Sequence, residues 1–320
     1  MMAENILQVD NLNLYYATRK GTVRAVDDVS FALPKGRTLA LVGESGCGKS
    51  SLAKAIIRLL PRNIDTYNGK IFFEGQNTME LNERRYREEV RWKKISMVFQ
   101  GALNSLNPVL QVGYQVAEPL IIHEKMEKKE ALGRALEALK LLRIPLSFVE
   151  RYPFELSGGM KQRTVIAMAL IANPQIVILD EPTSALDVIT QANILNLLKR
   201  LKSEMNLSFI YITHDIAVSS ELADSVAVMY AGEIDEIADA DEFYKKPAHP
   251  YSQLLMASVP TLRTDKDLAF ISGAPPSLID PPIGCRFHPR CPYKMDKCMK
   301  ESPVKTDLGH SHYVRCWLYE

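Results

Sequence analysis

The stretch TLALVGESGCGKSSLAKAIIRLL limits what this 320-residue chain can fold into more than any other. Leu39 to Val42 read as a short buried strand. A glycine-rich turn follows, then an amphipathic helix with apolar positions at Leu52, Ala55, Ile56 and Leu59. GESGCGKS fits the phosphate-loop pattern G-x-x-x-x-G-K-[ST]. Gly43, Gly46 and Gly48 let the backbone curl so that its N–H groups face a β-phosphate, and the helix N-terminus adds partial positive charge. Lys49 is suited to the β- and γ-phosphates and the Ser50 hydroxyl to Mg²⁺. Ser45 and Ser51 complete the nucleotide-binding positions of the loop, and the expected fold class is α/β.

Further along, IVILDEP reads as a buried strand, Ile176 to Leu179, ending in two carboxylates. Asp180 can hold Mg²⁺ through water, and Glu181 can orient or deprotonate an attacking water. A third apolar strand, SFIYI, delivers Thr213, His214 and Asp215 at its C-terminal end, where ligands of parallel sheets collect. Taken singly, His214 reads as an ordinary packed histidine. Between the first two elements LSGGMKQR opens a helix, with Ser157 as N-cap and two glycines leaving the backbone open to an anion. One phosphate loop does not need a second anion-binding helix end.

Hydrophobic residues make up 47% of the chain, as in a globular protein, and 39 Lys plus Arg against 38 Asp plus Glu leave no net field toward nucleic acid or anionic lipid. MMAENILQVD has neither a basic nor an apolar signal region, so a cytoplasmic protein is expected. The longest apolar run, Val165 to Ala172, is far short of the roughly 20 residues that span a bilayer, so membrane contact is expected through a partner.

The phosphate loop, LSGGMKQR, ILDEP, SALD and THD, in this order, resemble the nucleotide-binding subunits of ABC transporters over about Leu7 to Ile237. The resemblance implies an ABC ATPase core with a helical subdomain at about 101–165. It also implies a head-to-tail dimer in which Ser157, Gly158 and Gly159 of one subunit meet the ATP held by the other. It further implies that Tyr16, or the adjacent Tyr15, stacks on adenine and that His214 holds the γ-phosphate. Asp187 would help form the dimer interface. Gln100, in MVFQGALNSLNP, would sense Mg²⁺ and the attacking water and link to the membrane subunits. Similar proteins often have an acidic residue where Gly101 stands here. KKEALGRALEALKLL reads as an amphipathic helix with apolar Leu132, Ala135, Leu136, Leu139 and Leu142. The interval from Gln100 to Ser157 is too short for the long coiled coil of chromosome-maintenance ATPases, which argues against DNA repair.

Near residues 240–248 the composition turns to prolines and turn formers. AHPYSQLLMASVP and GAPPSLIDPPIGCRFHPRCP resemble the C-terminal segment of the ATP-binding subunits of oligopeptide/dipeptide transporters, and LSGGMKQR and QGALNSLNP are similar to the same family. The expected domains are an ATPase domain over 1–245 and a small, turn-rich, cysteine-containing extension over 246–320. Cys285, Cys291, Cys298 and Cys316 are spaced C-x5-C-x6-C-x17-C. Disulfides are disfavoured in a reducing compartment, and zinc knuckles usually place two cysteines two to four residues apart. Four thiolates on wider turns suit a [4Fe–4S] cluster, which the family resemblance also implies, with zinc or unligated thiols as alternatives. Cys47 reads as a small residue of the loop, and His249 and His288 as packed rather than ligating.

These readings point to the ATP-hydrolysing subunit of an importer for peptides or a related solute such as oligosaccharides, peripheral on the cytoplasmic face of the membrane. By resemblance, its partners are a second, related ATP-binding subunit, two permease subunits and, indirectly, a substrate-binding protein. The alternative is a soluble ABC ATPase acting on ribosomes or nucleic acid. A single phosphate loop and a single LSGG favour transport.

Overall fold

The computed structural model describes residues 4–101, 104–259 and 271–320. Ala102 and Leu103 of QGALNSLNP, and Pro260 at the end of HPYSQLLMASVP, lie outside the described residues. The chain forms two compact units: Met1–Met79 with Tyr211–Glu320, and Glu80–Ile210.

The first unit begins with β1 (Asn5–Thr18), β2 (Gly21–Pro34), β3 (Thr38–Val42), α1 (Lys49–Ile56), β4 (Ile64–Phe73) and β5 (Gln76–Asn77). β2, β1, β4 and β5 make an antiparallel sheet in that order. Leu7 and Val9, then Leu12 and Leu14, are fully buried on β1. The inward positions pass from odd to even numbers where the pairing shifts between Val9 and Leu12 and Asn11 takes a φ of +47°. An extra residue at a bulge re-phases the side chains of a strand in this way.

The second unit holds α2 (Glu83–Glu89), β6 (Ile95–Val98), α3 (Val112–Pro119), α4 (Lys128–Leu141), α5 (Gly158–Leu170), β7 (Ile176–Asp180) and α6 (Val188–Met205). β6 and β7 pair in parallel, and every residue of both is buried. α4 packs on α3 and α5. Its fully buried residues are Ala131, Ala135 and Leu139, with Leu142 just beyond the helix end. Leu136, expected inside, is 38% exposed, and Leu132 is only half-buried. The inward row runs at i, i+4 and i+8 from Ala131, which puts the stripe one residue from where leucine content alone had placed it.

The chain returns through β8 (Ser208–Ile212), α7 (Ile216–Ser219), β9 (Ser225–Tyr230), β10 (Glu233–Asp239), α8 (Ala240–Lys245), α9 (Pro250–Ala257), β11 (Lys305–Asp307) and β12 (Tyr313–Arg315). Within the first unit the order of the second sheet is β11-β12-β10-β9-β3, with β3 parallel to β9 and the other pairs antiparallel. Residues after 245 enter the core of this unit. Tyr251 and Phe287 pack against Tyr230 with ring centroids 4.6 and 5.2 Å away, and all three are essentially fully buried. Burying an aromatic side chain contributes about 1.5–3 kcal/mol, so the extension is anchored by apolar burial. Among the described residues no helix is long and apolar enough to cross a membrane.

Candidate nucleotide site

In the first unit the strand β3, the glycine loop and α1 follow one another as the sequence implies. Gly43 (φ +149°) and Gly48 (φ +115°) admit no side chain, since a Cβ would stand 2.2 Å from the Met229 carbonyl oxygen and 2.1 Å from that of Ala25. Gly46, also at positive φ, has open space where its Cβ would be. Lys49 is 6% exposed, and its Nζ donates to the carbonyls of Gly43 (2.7 Å) and Glu44 (2.9 Å). α1 is shorter than expected. Arg58 turns to a φ of +51°, the Leu59 N–H closes back on the Lys54 carbonyl at 2.9 Å, and Leu59 is left 42% exposed beyond the helix. Cys47 is buried, and burial pushes its thiol pKa up.

The Thr213 N–H donates to the Leu41 carbonyl at 3.2 Å, which brings the Thr213-His214-Asp215 turn alongside the end of β3. Asp215 caps α7 by accepting from the Val218 N–H at 3.0 Å. The two tyrosines of β1 separate by environment. The Tyr15 hydroxyl donates to Asp27 at 2.6 Å, and its pKa is pushed up to about 12 by burial and that carboxylate. Tyr16, the next residue on the strand, is half-buried.

The second unit carries the carboxylates. Asp180 ends β7 and is 2% exposed. Glu181 follows in the left-handed region at φ +47°, an unfavourable conformation for a residue with a side chain. Gln100 Nε2 donates to Glu181 Oε2 at 3.1 Å, and the Ser184 hydroxyl donates to the Glu181 carbonyl at 2.9 Å. Ser157 caps α5, its hydroxyl accepting from the Met160 N–H at 3.4 Å. Asp187 caps α6, accepting from the Thr190 N–H at 2.9 Å, and this hydrogen bond holds its carboxyl below the usual range. A Cβ on Gly159 would stand 2.8 Å from the Thr190 methyl. The LSGG and SALD helix ends therefore meet at Thr190.

The four cysteines of the extension are free thiols lining one cavity, with His249 and Trp317 also in its wall. The Cys285 N–H donates to the Cys298 carbonyl at 2.9 Å, and Gly284 lets the two loops touch, since a Cβ there would be 2.4 Å from that oxygen. Burial raises the thiols of Cys285 and Cys291, and that of Cys316 to about 11. Among the described residues no three His, Cys, Asp or Glu side chains converge as ligands of one ion. His249 Nδ1 accepts from the Tyr251 N–H at 3.1 Å, and His288 Nδ1 lies 2.9 Å from the Cys285 carbonyl.

Sequence reasoning missed three residues that touch the loop from the extension or receive it there. Glu44, the first variable position of the loop, meets Arg290, and its N–H donates to the Tyr251 hydroxyl at 2.9 Å. The one available signal was an arginine set between proline and cysteine in a buried, turn-rich segment.

Residues 26–184 match the ABC transporter family model, and residues 236–298 match that of the oligopeptide/dipeptide transporter C-terminal region. The chain is 46% identical to the oligopeptide transport ATP-binding protein OppD of Bacillus subtilis, over 98% of this chain and 88% of that protein. It is likewise 46% identical to the dipeptide transport ATP-binding protein DppD of Bacillus subtilis, over 99% of this chain and 96% of that protein. Among solved structures, an ATP-binding cassette in a dimeric post-hydrolysis state bound to ADP and Pi superposes with a TM-score of 0.64 at 31% identity, covering 73% of this chain and 98% of that one. A phosphate loop, an LSGG helix end, an Asp-Glu strand end and the C-terminal region of one transporter class thus occur together, and the chain belongs to the ATP-hydrolysing subunits of the oligopeptide/dipeptide ABC transporter family.

Proposed function

We propose that this subunit powers import of peptides, or of a related small solute such as an oligosaccharide, from the cytoplasmic face of the membrane. Lys49 and the loop N–H groups of Gly43, Ser45, Gly46 and Gly48 bind the ATP phosphates, with Ser51 at the start of the helix and Tyr16 under the adenine. Tyr16 is preferred because the Tyr15 hydroxyl is engaged by Asp27. Ser50, Asp180 and Gln100 serve Mg²⁺, Glu181 is the general base for the attacking water, and His214 holds the γ-phosphate. Ser157, Gly158 and Gly159 close on the ATP of a related, different ATP-binding chain, with Asp187 at the interface. Closure passes through the Gln100 region to two permease subunits, and hydrolysis resets it. A substrate-binding protein outside the membrane supplies the solute, and no nucleic acid is involved.

Cys285, Cys291, Cys298 and Cys316 are our candidates for holding a [4Fe–4S] cluster. What supports this is that all four thiols line one cavity on turn segments. Bound zinc would need the four sulfurs to converge to about 2.3 Å from a single point, whereas a cluster spreads its ligands over four irons. The metal would stabilise the thiolate forms that burial disfavours.

One observation carries the transport reading: the extension typical of peptide transporters is packed into the core of the unit that holds the phosphate loop. Reconstitution in vesicles with permease and binding proteins of this transporter class tests it. The expected result is ATP-dependent peptide uptake that Lys49→Ala abolishes. Co-sedimentation with ribosomes and no uptake would overturn it.

A further inference from the structure

Glu44 is engaged through three of its groups. Its carboxylate receives a two-pronged contact from Arg290, Nη1 to Oε2 at 2.6 Å and Nη2 to Oε1 at 3.0 Å. Its N–H donates to the Tyr251 hydroxyl at 2.9 Å, and its carbonyl accepts from Lys49 Nζ at 2.9 Å.

Arg290 is itself immobilised. Besides the two bonds to Glu44, Nε donates to the Ser272 carbonyl at 2.9 Å, Nη1 to the Tyr230 hydroxyl at 3.3 Å and Nη2 to the Ile271 carbonyl at 3.4 Å. All five donors of the guanidinium are used, which fixes its plane as well as its position. The Tyr251 ring is wedged between Tyr230 and Phe287 and is fully buried. Both contacts to Glu44 therefore come from groups with little freedom to follow it.

A carboxylate inside a phosphate loop opposes the binding of a polyanion unless a cation neutralises it. Arg290 supplies that cation from 246 residues away in sequence. We propose that the C-terminal extension is a positioning element of the nucleotide site: Arg290 and Tyr251 fix and neutralise Glu44, and Glu44 presents the carbonyl that orients Lys49. Nucleotide affinity then depends on the extension being docked on the loop. The inference rests on the phosphate loop being the ATP site.

ATP dissociation constants and steady-state kinetics of the full-length chain test it. Tyr251→Phe removes one hydroxyl and keeps the ring, so the fold should persist while ATP binding weakens about 3- to 10-fold. Arg290→Met should weaken it about tenfold or more, and adding Glu44→Gln should restore much of the loss, because the uncompensated carboxylate is then gone. In both single variants the KM for ATP should rise with kcat at saturating ATP nearly unchanged, since Glu181 and Gln100 are untouched. A merely structural role would lower the melting temperature and leave KM alone.

Parent-like ATP affinity in folded Tyr251→Phe would overturn the proposal, and so would an Arg290→Met defect that Glu44→Gln deepens. If Arg290→Met does not fold, Tyr251→Phe decides the matter alone. A parent chain that binds no ATP would overturn the nucleotide reading itself, and this inference with it.

Discussion

Gln100 donates its side-chain amide to the Glu181 carboxylate at 3.1 Å, and that carboxylate stands on a backbone held at a φ of +47°. A carboxylate on a sparsely populated conformation, tied to a neighbouring amide, has a defined direction before water arrives. Glu181→Gln removes the proposed proton acceptor while keeping the shape. Phosphate release should fall by about 10²- to 10⁴-fold, and ATP-bound dimers should accumulate on size-exclusion chromatography. Turnover equal to the parent's would remove Glu181 from this role.

Lys49→Ala deletes the ammonium that bridges the Gly43 and Glu44 carbonyls. ATP binding, followed by calorimetry, should drop below detection while the circular dichroism spectrum stays that of the parent. Normal binding would contradict the phosphate-loop assignment.

Gly159→Ala places a methyl 2.8 Å from the Thr190 methyl, so Thr190 must rotate or the start of α5 must shift against the start of α6. Overpacking of this kind costs about 1–3 kcal/mol, readable in urea unfolding. ATP binding to the isolated subunit should be unaffected, whereas dimer-dependent hydrolysis should fall.

Asp27 gives a pH test. Burial alone would raise its pKa, but the Tyr15 hydroxyl and the Arg286 guanidinium both donate to it and hold it below its ordinary 3.8. The folded state thus binds the proton more weakly than the unfolded chain. The stabilisation is complete above pH 3.8 and is lost as pH falls through the depressed value. Urea unfolding of the parent and Asp27→Asn from pH 6 to pH 3 should show the parent's advantage shrinking only at the acid end. An advantage constant across that range would show that ionisation of Asp27 contributes nothing.

Protein purified without oxygen should contain iron and acid-labile sulfide, four of each per chain, with a broad visible absorption. Serine at Cys285 and Cys291 together should remove both. One zinc and no iron would make the cysteine cavity a zinc clasp.

The elements carrying the motifs were legible because their signals are local. A fully buried run marks β3, β7 and β8, and a capping serine marks the start of α5. Errors of register arose where backbone or neighbours decide. Leu59 is excluded from α1 by the left-handed Arg58, and Leu136 is turned outward because α4 aims its Ala131 row at α3 and α5. The contacts Arg290–Glu44, Tyr251–Glu44 and Arg286–Asp27 join segments over 200 residues apart. No period or spacing within either segment specifies such a partner, so the part of the site they form was not readable from the sequence.

That long separation also sets a schedule for synthesis. Translation at roughly 5–20 residues per second delivers Arg290 about 12–50 s after Glu44, because 246 positions lie between them. For that interval the nascent chain carries Glu44 without Arg290, and Glu80–Ile210, contiguous in sequence, is delivered whole within it. If Arg290 neutralises Glu44 as proposed, growing polypeptides, and any that stop short of Arg290, hold nucleotide more weakly than the finished subunit.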